Sequence, residues 1–360
     1  MLQKSPAGGS GLAISVLDQA PISEGFSAAD ALRISVDLAR LCDRLGFARY
    51  WVAEHHGTPM LACASPEALI GPIGEATQKI RVGSGGVMLP HYSPLKVAET
   101  FSMFAGLYPE RIDLGLGRAP GSDQKTAYAL QRDRRQPAPD DFPDQLVELL
   151  AFLEDRLPED HPYKYLAALP GLPHAPEVYL LGSSLQSAIW AGQLGLPYVF
   201  ADFINPAGAA IAERYRQEFV ASERLREPKT IVAVWALAAE TDEEAERLSS
   251  SHRMVMRLFL SGKLIPIPPV EEALKFLAEA PHQPAGLGGR QRRRISGSPL
   301  KVRREIEAVA DEYGAEEAMI VTITHAHHDR RRSYELIAEI FNLAGAPAEP
   351  ASAAVTPPIV

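Results

Sequence analysis

Three predicted strands in the first third of the chain end in residues that can do chemistry. The first ends in Glu54, His55 and His56, and a histidine side chain can exchange a proton near neutral pH. The next strand carries residues 83–86, three of which are glycine, and the one after it ends in Arg118. If these strands belong to one parallel barrel, their carboxyl ends meet at a single mouth, where such barrels hold their active sites.

The glycine-rich segment contains Gly83, Gly85 and Gly86. Glycine weakens a strand, so its presence indicates that something approaches the backbone closely or that the strand bulges. A flat ligand lying against Gly85 and Gly86 is one interpretation. A simple bulge at the rim of the barrel is the other, and the sequence leaves both open.

A second candidate site lies where the predicted fifth strand meets a helix, at Gly182, Ser183 and Ser184, with Ser187 about one turn later. Unpaired N–H groups at a helix start, serine hydroxyls and the helix dipole together favour an anion such as a phosphate. Arg118, from another strand end, can give the same anion two charged hydrogen bonds. The alternative is that Ser183 only caps the helix and that Arg118 is a surface arginine.

The histidines allow further interpretations. Adjacent strand residues point to opposite sides, so only one of His55 and His56 is expected to face the site, and either can be a structural histidine. A second histidine cluster lies at residues 325–328, and a metal site drawn from both clusters is a weaker alternative, because no carboxylate-rich strand ends accompany it. We therefore predict no metal ligand.

Two arginine runs and one cysteine are expected to be structural. Residues 290–294 are expected to form a solvated loop, with contact to an anionic substrate as the weaker alternative, and residues 330–332 a surface patch at the start of a helix. Cys42 lies within a predicted helix and is expected to be buried in the core.

The elements that must position these residues alternate between strand and helix. Eight apolar stretches are predicted as strands, at residues 12–17, 49–54, 80–89, 111–117, 177–181, 197–201, 230–238 and 318–323. Strands that alternate with helices form parallel βα units, so we predict an α/β fold, the (β/α)8 TIM barrel with insertions. The main rival is an open doubly wound sheet, which the lack of a G-x-G-x-x-G turn after the first strand disfavours.

The predicted organisation is one barrel domain over residues 12–344, with flexible ends at 1–11 and 345–360. Insertions are expected near 121–176 and 262–298, where residues rich in proline, glycine and charge interrupt the alternation of strands and helices.

Helix starts are predicted where a serine cap precedes a proline, at Ser65 and Ser93. The helix after Ser65 contains Gly71 and Gly74, and small residues at this spacing indicate close packing against another helix. The last helix is predicted over residues 332–343.

Composition narrows the choice of partners and compartment. The net charge of −9 disfavours nucleic acid and anionic membranes as partners. The two cysteines form neither a disulfide framework nor a zinc spacing. No secretory leader and no apolar run of about 18–20 residues is visible, so we expect a cytoplasmic protein without a membrane segment.

With these residues in view, the chain resembles the bacterial luciferase-like, flavin-dependent monooxygenases over about residues 12–343. Three runs carry the resemblance in the same order and spacing: WVAEHH at 51–56, VGSGGVMLP at 82–90 and DLGLGR at 113–118. The resemblance implies a barrel that uses reduced FMN and O2 to oxidise a small organic substrate. It also implies a homodimer formed through the second and third helices, and a separate NAD(P)H:flavin reductase that supplies the reduced FMN.

The resemblance also assigns roles to residues. It places the flavin phosphate on Arg118, Ser183, Ser184 and Ser187, and a catalytic histidine beside the flavin at His55. Gly85 and Gly86 match a segment that holds a non-proline cis peptide bond in the family. By the same resemblance, Glu54 and His56 support the site or contact the dimer partner, and residues 262–298 form a mobile lid over the flavin.

Two departures distinguish the chain from the light-emitting members of that family. Gly117 stands where their α subunit has a reactive cysteine, and Ser183 stands where it has an acidic residue. Both disfavour light emission. An F420-dependent hydride-transfer enzyme on the same barrel and a non-catalytic flavin-binding protein remain as alternatives.

Overall fold

The fold is described from a computed structural model of the chain. The structure describes residues 11–118, 123–131, 134–136, 140–166, 168–279 and 293–343. The flexible ends predicted from the sequence therefore lie outside the described residues, apart from residue 11. So do residues 290–292 of the first arginine run.

Eight parallel strands close into a barrel, which confirms the predicted (β/α)8 fold. The closing pairs join β9 to β1 and to β7, and a ninth short strand, β8, pairs with the last residues of β7. The strands are β1 (Ala13–Asp18), β2 (Arg49–Val52), β3 (Arg81–Met88), β4 (Ile112–Gly117), β5 (Glu177–Gly182), β6 (Tyr198–Ala201), β7 (Thr230–Ala238), β8 (Ile295–Gly297) and β9 (Glu317–Val321).

Helices cover the outside of the barrel. They are α1 (Ala28–Leu45), α2 (Pro66–Ala76), α3 (Pro94–Leu107), α4 (Gln124–Leu130), α5 (Phe142–Leu153), α6 (Leu185–Gln193), α7 (Ala209–Glu218), α8 (Asp242–Leu260), α9 (Val270–Glu279), α10 (Pro299–Tyr313) and α11 (His327–Phe341). Helices α2 and α3 start at the predicted prolines, but the side chains of Ser65 and Ser93 make no capping hydrogen bond. No helix in the described ranges has both the length and the apolarity needed to cross a membrane.

The structure corrects two predicted element boundaries and adds three short elements. Strand β2 ends at Val52, so the Glu-His-His run lies in the loop after the strand. Elements α4, α9 and β8 lie in the segments predicted as insertions; they are short, and proline and glycine flank them. Helix α11 begins at His327, five residues before its predicted start, so Arg330 lies within the helix rather than before it.

Gly74 explains the predicted close packing of α2. A Cβ atom at Gly74 would lie 2.7 Å from the ring of Tyr108, which follows α3. The Tyr108 hydroxyl in turn donates to the carbonyl oxygen of Gly71 at 2.9 Å. The absence of a side chain at Gly74 therefore lets the tyrosine ring lie flat on α2.

Buried charges close the amino-terminal end of the barrel. Arg49 Nη1 lies 2.9 Å from Asp113 Oδ2, and Arg49 Nε lies 2.8 Å from Glu317 Oε1. Asp113 also accepts from Arg81 and from the indole N–H of Trp51, the latter at 2.8 Å. We call Arg49, Asp113 and Glu317 the floor cluster. Because this end is filled, a ligand site must lie at the opposite, carboxyl end of the strands.

Candidate active site

The loop after β2 is held in place by the carboxylate of Glu54, which is almost fully buried. Its Oε2 accepts from the Met88 N–H at 3.0 Å, and its Oε1 accepts from the Tyr92 hydroxyl at 3.1 Å. His56 Nε2 lies 2.8 Å from the same Oε1. These contacts join the end of β2 to the turn after β3, so Glu54 and His56 position the loop that carries His55.

Of the two adjacent histidines, His55 is the one whose ring has a buried nitrogen without a hydrogen-bond partner in the described residues. Its backbone N–H donates to the Cys63 carbonyl oxygen at 2.9 Å, which fixes the residue in place. The Nδ1 atom is shielded from solvent and has no hydrogen-bond partner among the described residues. Burial, with a smaller contribution from the charge of His56, lowers the pKa of His55 to about 4. The ring is therefore neutral at neutral pH and can accept a proton or a hydrogen bond.

The glycine segment contains the bulge that was one of its two interpretations, while the flat ligand stays a prediction. The peptide bond between Gly85 and Gly86 is cis, as the resemblance implied. The pairing of β3 with β4 shifts register between Gly85 and Val87, so the strand does bulge. A Cβ atom at Gly86 would lie 2.7 Å from the Gly115 carbonyl oxygen, whereas one at Gly85 would meet Leu17 Cδ1, inside the barrel, at 2.5 Å. The lack of side chains thus lets β3 approach β4 closely at Gly86 and lets Leu17 and Trp51 pack directly against the backbone at Gly85.

The junction of β5 with α6 has the geometry of an anion site. Ser184 caps α6, and its hydroxyl oxygen accepts from the Ser187 N–H at 3.3 Å. The two serine hydroxyl oxygens lie 3.1 Å apart, and Ser187 Oγ also lies 2.9 Å from the hydroxyl of Tyr198. A Cβ atom at Gly182 would lie 2.1 Å from Ser187 Oγ, so only glycine permits this arrangement. Ser183 lies between Gly182 and Ser184, one residue before the helix cap.

Arg118 reaches from the end of β4 to α6. Its guanidinium lies over the ring of Trp190, 5.6 Å from the centroid, and 3.8 Å from Asp140. The side chain is 51% exposed and its partner Asp140 is 83% exposed, so this ion pair is weak and the arginine can exchange it for a stronger anion.

The predicted site residues therefore lie at the carboxyl ends of four consecutive strands, β2 to β5, at one side of the barrel mouth. The second histidine cluster has other partners: His327 Nε2 lies 2.8 Å from Asp37 Oδ2, and His325 Nε2 lies 3.2 Å from the Glu24 carbonyl oxygen. Across the described residues, no three His, Cys, Asp or Glu side chains converge as metal ligands would.

A family profile described as luciferase-like monooxygenase matches residues 12–338 of the chain. This chain belongs to the luciferase-like monooxygenase family. YwcH of Bacillus subtilis (strain 168) is 41% identical to it over 331 residues, which cover 92% of this chain and 99% of that protein. The N-acetyl-S-alkylcysteine monooxygenase of the same organism is 36% identical over 326 residues, 91% of this chain and 97% of that protein. The crystal structure of apo-MsnO8 is 41% identical and covers 93% of this chain and 100% of that one, with a TM-score of 0.86.

Two more distant structures share the barrel. The oxygenating constituent of 3,6-diketocamphane monooxygenase from Pseudomonas putida, in complex with FMN, is 20% identical with a TM-score of 0.68, covering 92% of this chain and 97% of that one. An F420-dependent secondary alcohol dehydrogenase, in complex with an F420–acetone adduct, is 15% identical with a TM-score of 0.61. The match covers 91% of this chain and 99% of that one. At these identities the likeness shows the fold alone.

One buried network in this family member was missed from the sequence. Arg330, predicted at the surface, is buried, and its Nη2 lies 2.7 Å from Asp18 Oδ1 at the end of β1. The Tyr50 hydroxyl donates to Asp18 Oδ2 at 2.6 Å. Burial alone would raise the pKa of Asp18, but the charge of Arg330 and the hydrogen bonds hold it below its usual value. The surface prediction was wrong because α11 starts early and turns Arg330 inward.

Arg293, in the first arginine run, also has partners that the sequence did not predict. Arg293 Nε lies 3.1 Å from Asp202 Oδ1, and Arg293 Nη2 donates to the Pro206 carbonyl oxygen at 3.2 Å. Tyr313 donates to the same carboxylate at 2.8 Å. The expected solvated loop therefore does not include Arg293, which fixes the chain just before β8. The sequence carried no signal for this contact, since Asp202 and Arg293 are 91 positions apart.

Proposed function

We propose that this family member is an FMN-dependent monooxygenase that uses reduced FMN and O2 to oxidise a small organic substrate. The observation that carries the proposal is the pairing, at one side of the barrel mouth, of a neutral histidine with an unused ring nitrogen and a serine-rich helix start. His55 supplies the first and the junction of β5 with α6 the second. Family membership supports an oxidising reaction with O2.

The residues present fit FMN. The N-terminal N–H groups of α6, the hydroxyls of Ser183 and Ser184, and Arg118 would bind the phosphate of FMN. Gly182 and Ser187 set the shape of this junction, since a side chain at Gly182 would displace the Ser187 hydroxyl.

The flat ring of FMN would lie against the backbone of Gly85 and Gly86. On the barrel side, Leu17 and Trp51, both buried and apolar, pack against the backbone of Gly85 and would form an apolar wall of the site. Such a wall excludes water from the ring.

The chemistry divides between the cofactor and the chain. Bound reduced FMN supplies the two electrons that O2 needs for substrate oxidation. His55, neutral at neutral pH, would accept or return a proton through Nδ1 when the cofactor is bound. Glu54 and His56 keep the loop of His55 fixed, and the apolar barrel interior keeps bulk water from the reacting atoms.

An anaerobic titration tests the cofactor. Purified protein is titrated with reduced FMN and, in parallel, with reduced F420, and O2 is then admitted while oxygen uptake and hydrogen peroxide release are recorded. The proposal expects saturable binding of reduced FMN, followed by oxygen uptake that a suitable substrate diverts from peroxide to oxidised product. Tight binding of F420 alone would favour the hydride-transfer alternative. Binding of FMN with no oxygen uptake under any substrate would favour the flavin-binding protein.

The substrate is proposed to be a small organic molecule, and the named activity of one relative supplies the first compounds to test, the N-acetyl-S-alkylcysteines. We also propose that reduced FMN comes from a separate NAD(P)H:flavin reductase and that the protein works in the cytoplasm.

The proposed homodimer uses α2 and α3. On α3, Met103 is 54% exposed and Leu107 is 65% exposed, which makes this an apolar surface in a single chain. Light scattering of the purified protein measures the oligomeric state, and a monomer would reject this part of the proposal.

A further inference from the structure

A cavity of about 260 Å³ lies beyond the carboxyl ends of β7 and β9, bounded on the outside by α8, β8 and the first turn of α10. We call it the β7–α8 cavity. It shares the barrel mouth with the proposed flavin site but is built from other strands, because the flavin residues lie on β2 to β5. None of the proposed cofactor residues lines it.

The inner wall of the β7–α8 cavity is apolar. Trp235 and Leu237 of β7 and Ile323, just after β9, contribute to it, and all three pack with the buried apolar residues of their clusters. The ring of Trp235 stacks on Phe203, with centroids 5.5 Å apart, and the ring of His252 lies nearly perpendicular to that of Trp235, with centroids 4.3 Å apart. Such a wall binds the aliphatic or aromatic part of a ligand.

The outer wall of the cavity is cationic. Arg253 of α8, Arg294 before β8 and Lys301 of α10 line it, with Glu246 as the acidic residue among its lining. Glu246 already pairs with Arg253. Neither Arg294 nor Lys301 lies within ion-pair distance of a carboxylate in the described parts of the chain. The cavity therefore carries an excess of positive charge in a protein whose net charge is −9.

Two further polar residues, Asp242 and Ser296, lie at or beside the cavity. Asp242 lies beside Lys301, and its Oδ1 accepts from the Ser298 N–H at 2.7 Å. Hydrogen bonds from Ser298 and, to a smaller extent, the charge of Lys301 hold the pKa of Asp242 below its usual value, so Asp242 offsets part of the Lys301 charge. Ser296, on the cavity wall, has its hydroxyl shielded from solvent and without a hydrogen-bond partner in the described residues. Because this hydroxyl is shielded, the polar contacts that the cavity offers a ligand come from the two cations.

We propose that the β7–α8 cavity binds an organic acid with an apolar or aromatic body, whose carboxylate pairs with Arg294 and Lys301 and whose body lies on Trp235. That this acid is the compound oxidised rests on the proposed function, because only the cofactor at the same mouth would make it a substrate. The binding itself does not depend on the cofactor. Charge attraction of this kind weakens as salt is added.

Calorimetric titration with matched acids and esters tests the proposal. The probes are N-acetyl-S-methylcysteine, N-acetyl-S-benzylcysteine and 3-phenylpropionate, each compared with its own methyl ester, which removes only the charge. We expect at least one acid to bind about 10-fold tighter than its ester, the size of one charged hydrogen bond. The preference should shrink when the ionic strength rises from about 0.05 M to about 0.5 M.

Substitutions locate the carboxylate. Arg294→Gln and Lys301→Gln should each weaken binding of the acid about 5- to 20-fold and leave the ester unaffected. Arg304→Gln is the control, because Arg304 is an exposed cation on the same helix as Lys301 and does not line the cavity. Equal affinity for every acid and its ester, no binding of any probe, or a preference that survives both substitutions would overturn the proposal.

The test separates this proposal from the proposed function. A preference for acids in a protein that does not take up reduced FMN would keep the acid site and reject the monooxygenase. Uptake of reduced FMN with oxygen consumption but no preference for acids would keep the monooxygenase and reject the acid site. When both hold, the substitutions should raise KM for the acid far more than they lower kcat.

Discussion

At the residue scale, the proposed chemistry depends most on His55. It is one of three adjacent polar residues, yet Glu54 and His56 bind each other and the turn after β3, which leaves His55 with an unused nitrogen. A shielded imidazole that stays neutral keeps a lone pair free to accept a hydrogen bond or a proton, although its low pKa makes it a weak base.

His55→Ala should lower the rate of substrate oxidation by about 10²- to 10⁴-fold, the usual contribution of a general acid–base group. The measurement is the initial rate with reduced FMN and the best substrate found, together with the affinity for reduced FMN. The exposed His174 provides the control, and His174→Ala should keep the wild-type rate. A rate for His55→Ala within about twofold of wild type would remove His55 from the mechanism.

The low pKa of His55 also makes stability depend on pH. The folded protein binds a proton at His55 only near pH 4, whereas the unfolded chain binds one near the ordinary pKa of about 6.5. Between these values the unfolded state holds more protons, so stability falls as the pH falls. His55→Gln removes this contribution, and the free energy of unfolding should then drop about 1–2 kcal/mol less than in wild type between about pH 7 and about pH 5.

Urea unfolding at the two pH values measures this difference. His174→Gln is again the matched control, because the side chain of His174 is exposed, and it should show the pH dependence of the wild type. An equal loss of stability in His55→Gln and in wild type would show that His55 is not held neutral by the fold.

At the scale of elements, the sequence predicted what is local and missed what is not. The starts of α2 at Pro66 and of α3 at Pro94 follow from neighbouring residues, and both are present. The contact between Arg330 and Asp18 joins residues 312 positions apart, and no periodicity records it. The proposed site residues on β2 to β5 could be predicted because each strand end carries its own glycine or polar run.

The junction of β5 with α6 is the element that the proposed cofactor needs most. Gly182→Ala would place a Cβ atom 2.1 Å from Ser187 Oγ and 2.6 Å from Ser187 Cβ, so the first turn of α6 must move. We expect the dissociation constant for reduced FMN to rise at least about 10-fold, with a loss of about 1–3 kcal/mol in the free energy of unfolding.

Anaerobic titration and denaturant unfolding give the two quantities. Gly71→Ala is the control, because its Cβ atom would meet Phe104 at an ordinary 3.7 Å and α2 carries no proposed cofactor residue. Its affinity for reduced FMN should stay within about twofold of wild type, since no contact to the site changes. Unchanged FMN affinity in Gly182→Ala would move the proposed phosphate site away from this junction.

At the scale of the whole molecule, the residues that stabilise the barrel and those proposed to act in the reaction lie at opposite ends of the strands. The floor cluster fills the amino-terminal end with charges from β2, β4 and β9, and the proposed sites lie at the carboxyl ends. Between them lies an apolar layer that includes Trp51 and Tyr179, whose rings are 5.0 Å apart. Changes at the floor should therefore affect folding and leave the mouth unaltered.

Arg49→Met tests this separation. The substitution leaves Glu317, whose side chain is 3% exposed, without its positive partner, whereas Asp113 keeps Arg81. Removing one member of a buried ion pair costs about 3–5 kcal/mol, because the charge that remains is buried and unpaired. Denaturant unfolding should show a loss of this size, while the folded protein should bind reduced FMN as wild type does.

The double variant Arg49→Met with Glu317→Gln shows whether the unpaired charge is the cause. Glutamine removes the charge at Glu317 and can still accept the hydrogen bond of Ser15, which donates to this carboxylate in the native barrel. The double variant should therefore be more stable than the single one by at least about 1.5 kcal/mol, even though it carries one more substitution. If instead it is no more stable, packing of the Arg49 side chain rather than its charge holds the floor together. If either variant loses affinity for reduced FMN, the floor and the mouth are coupled, and the separation proposed for this barrel does not hold.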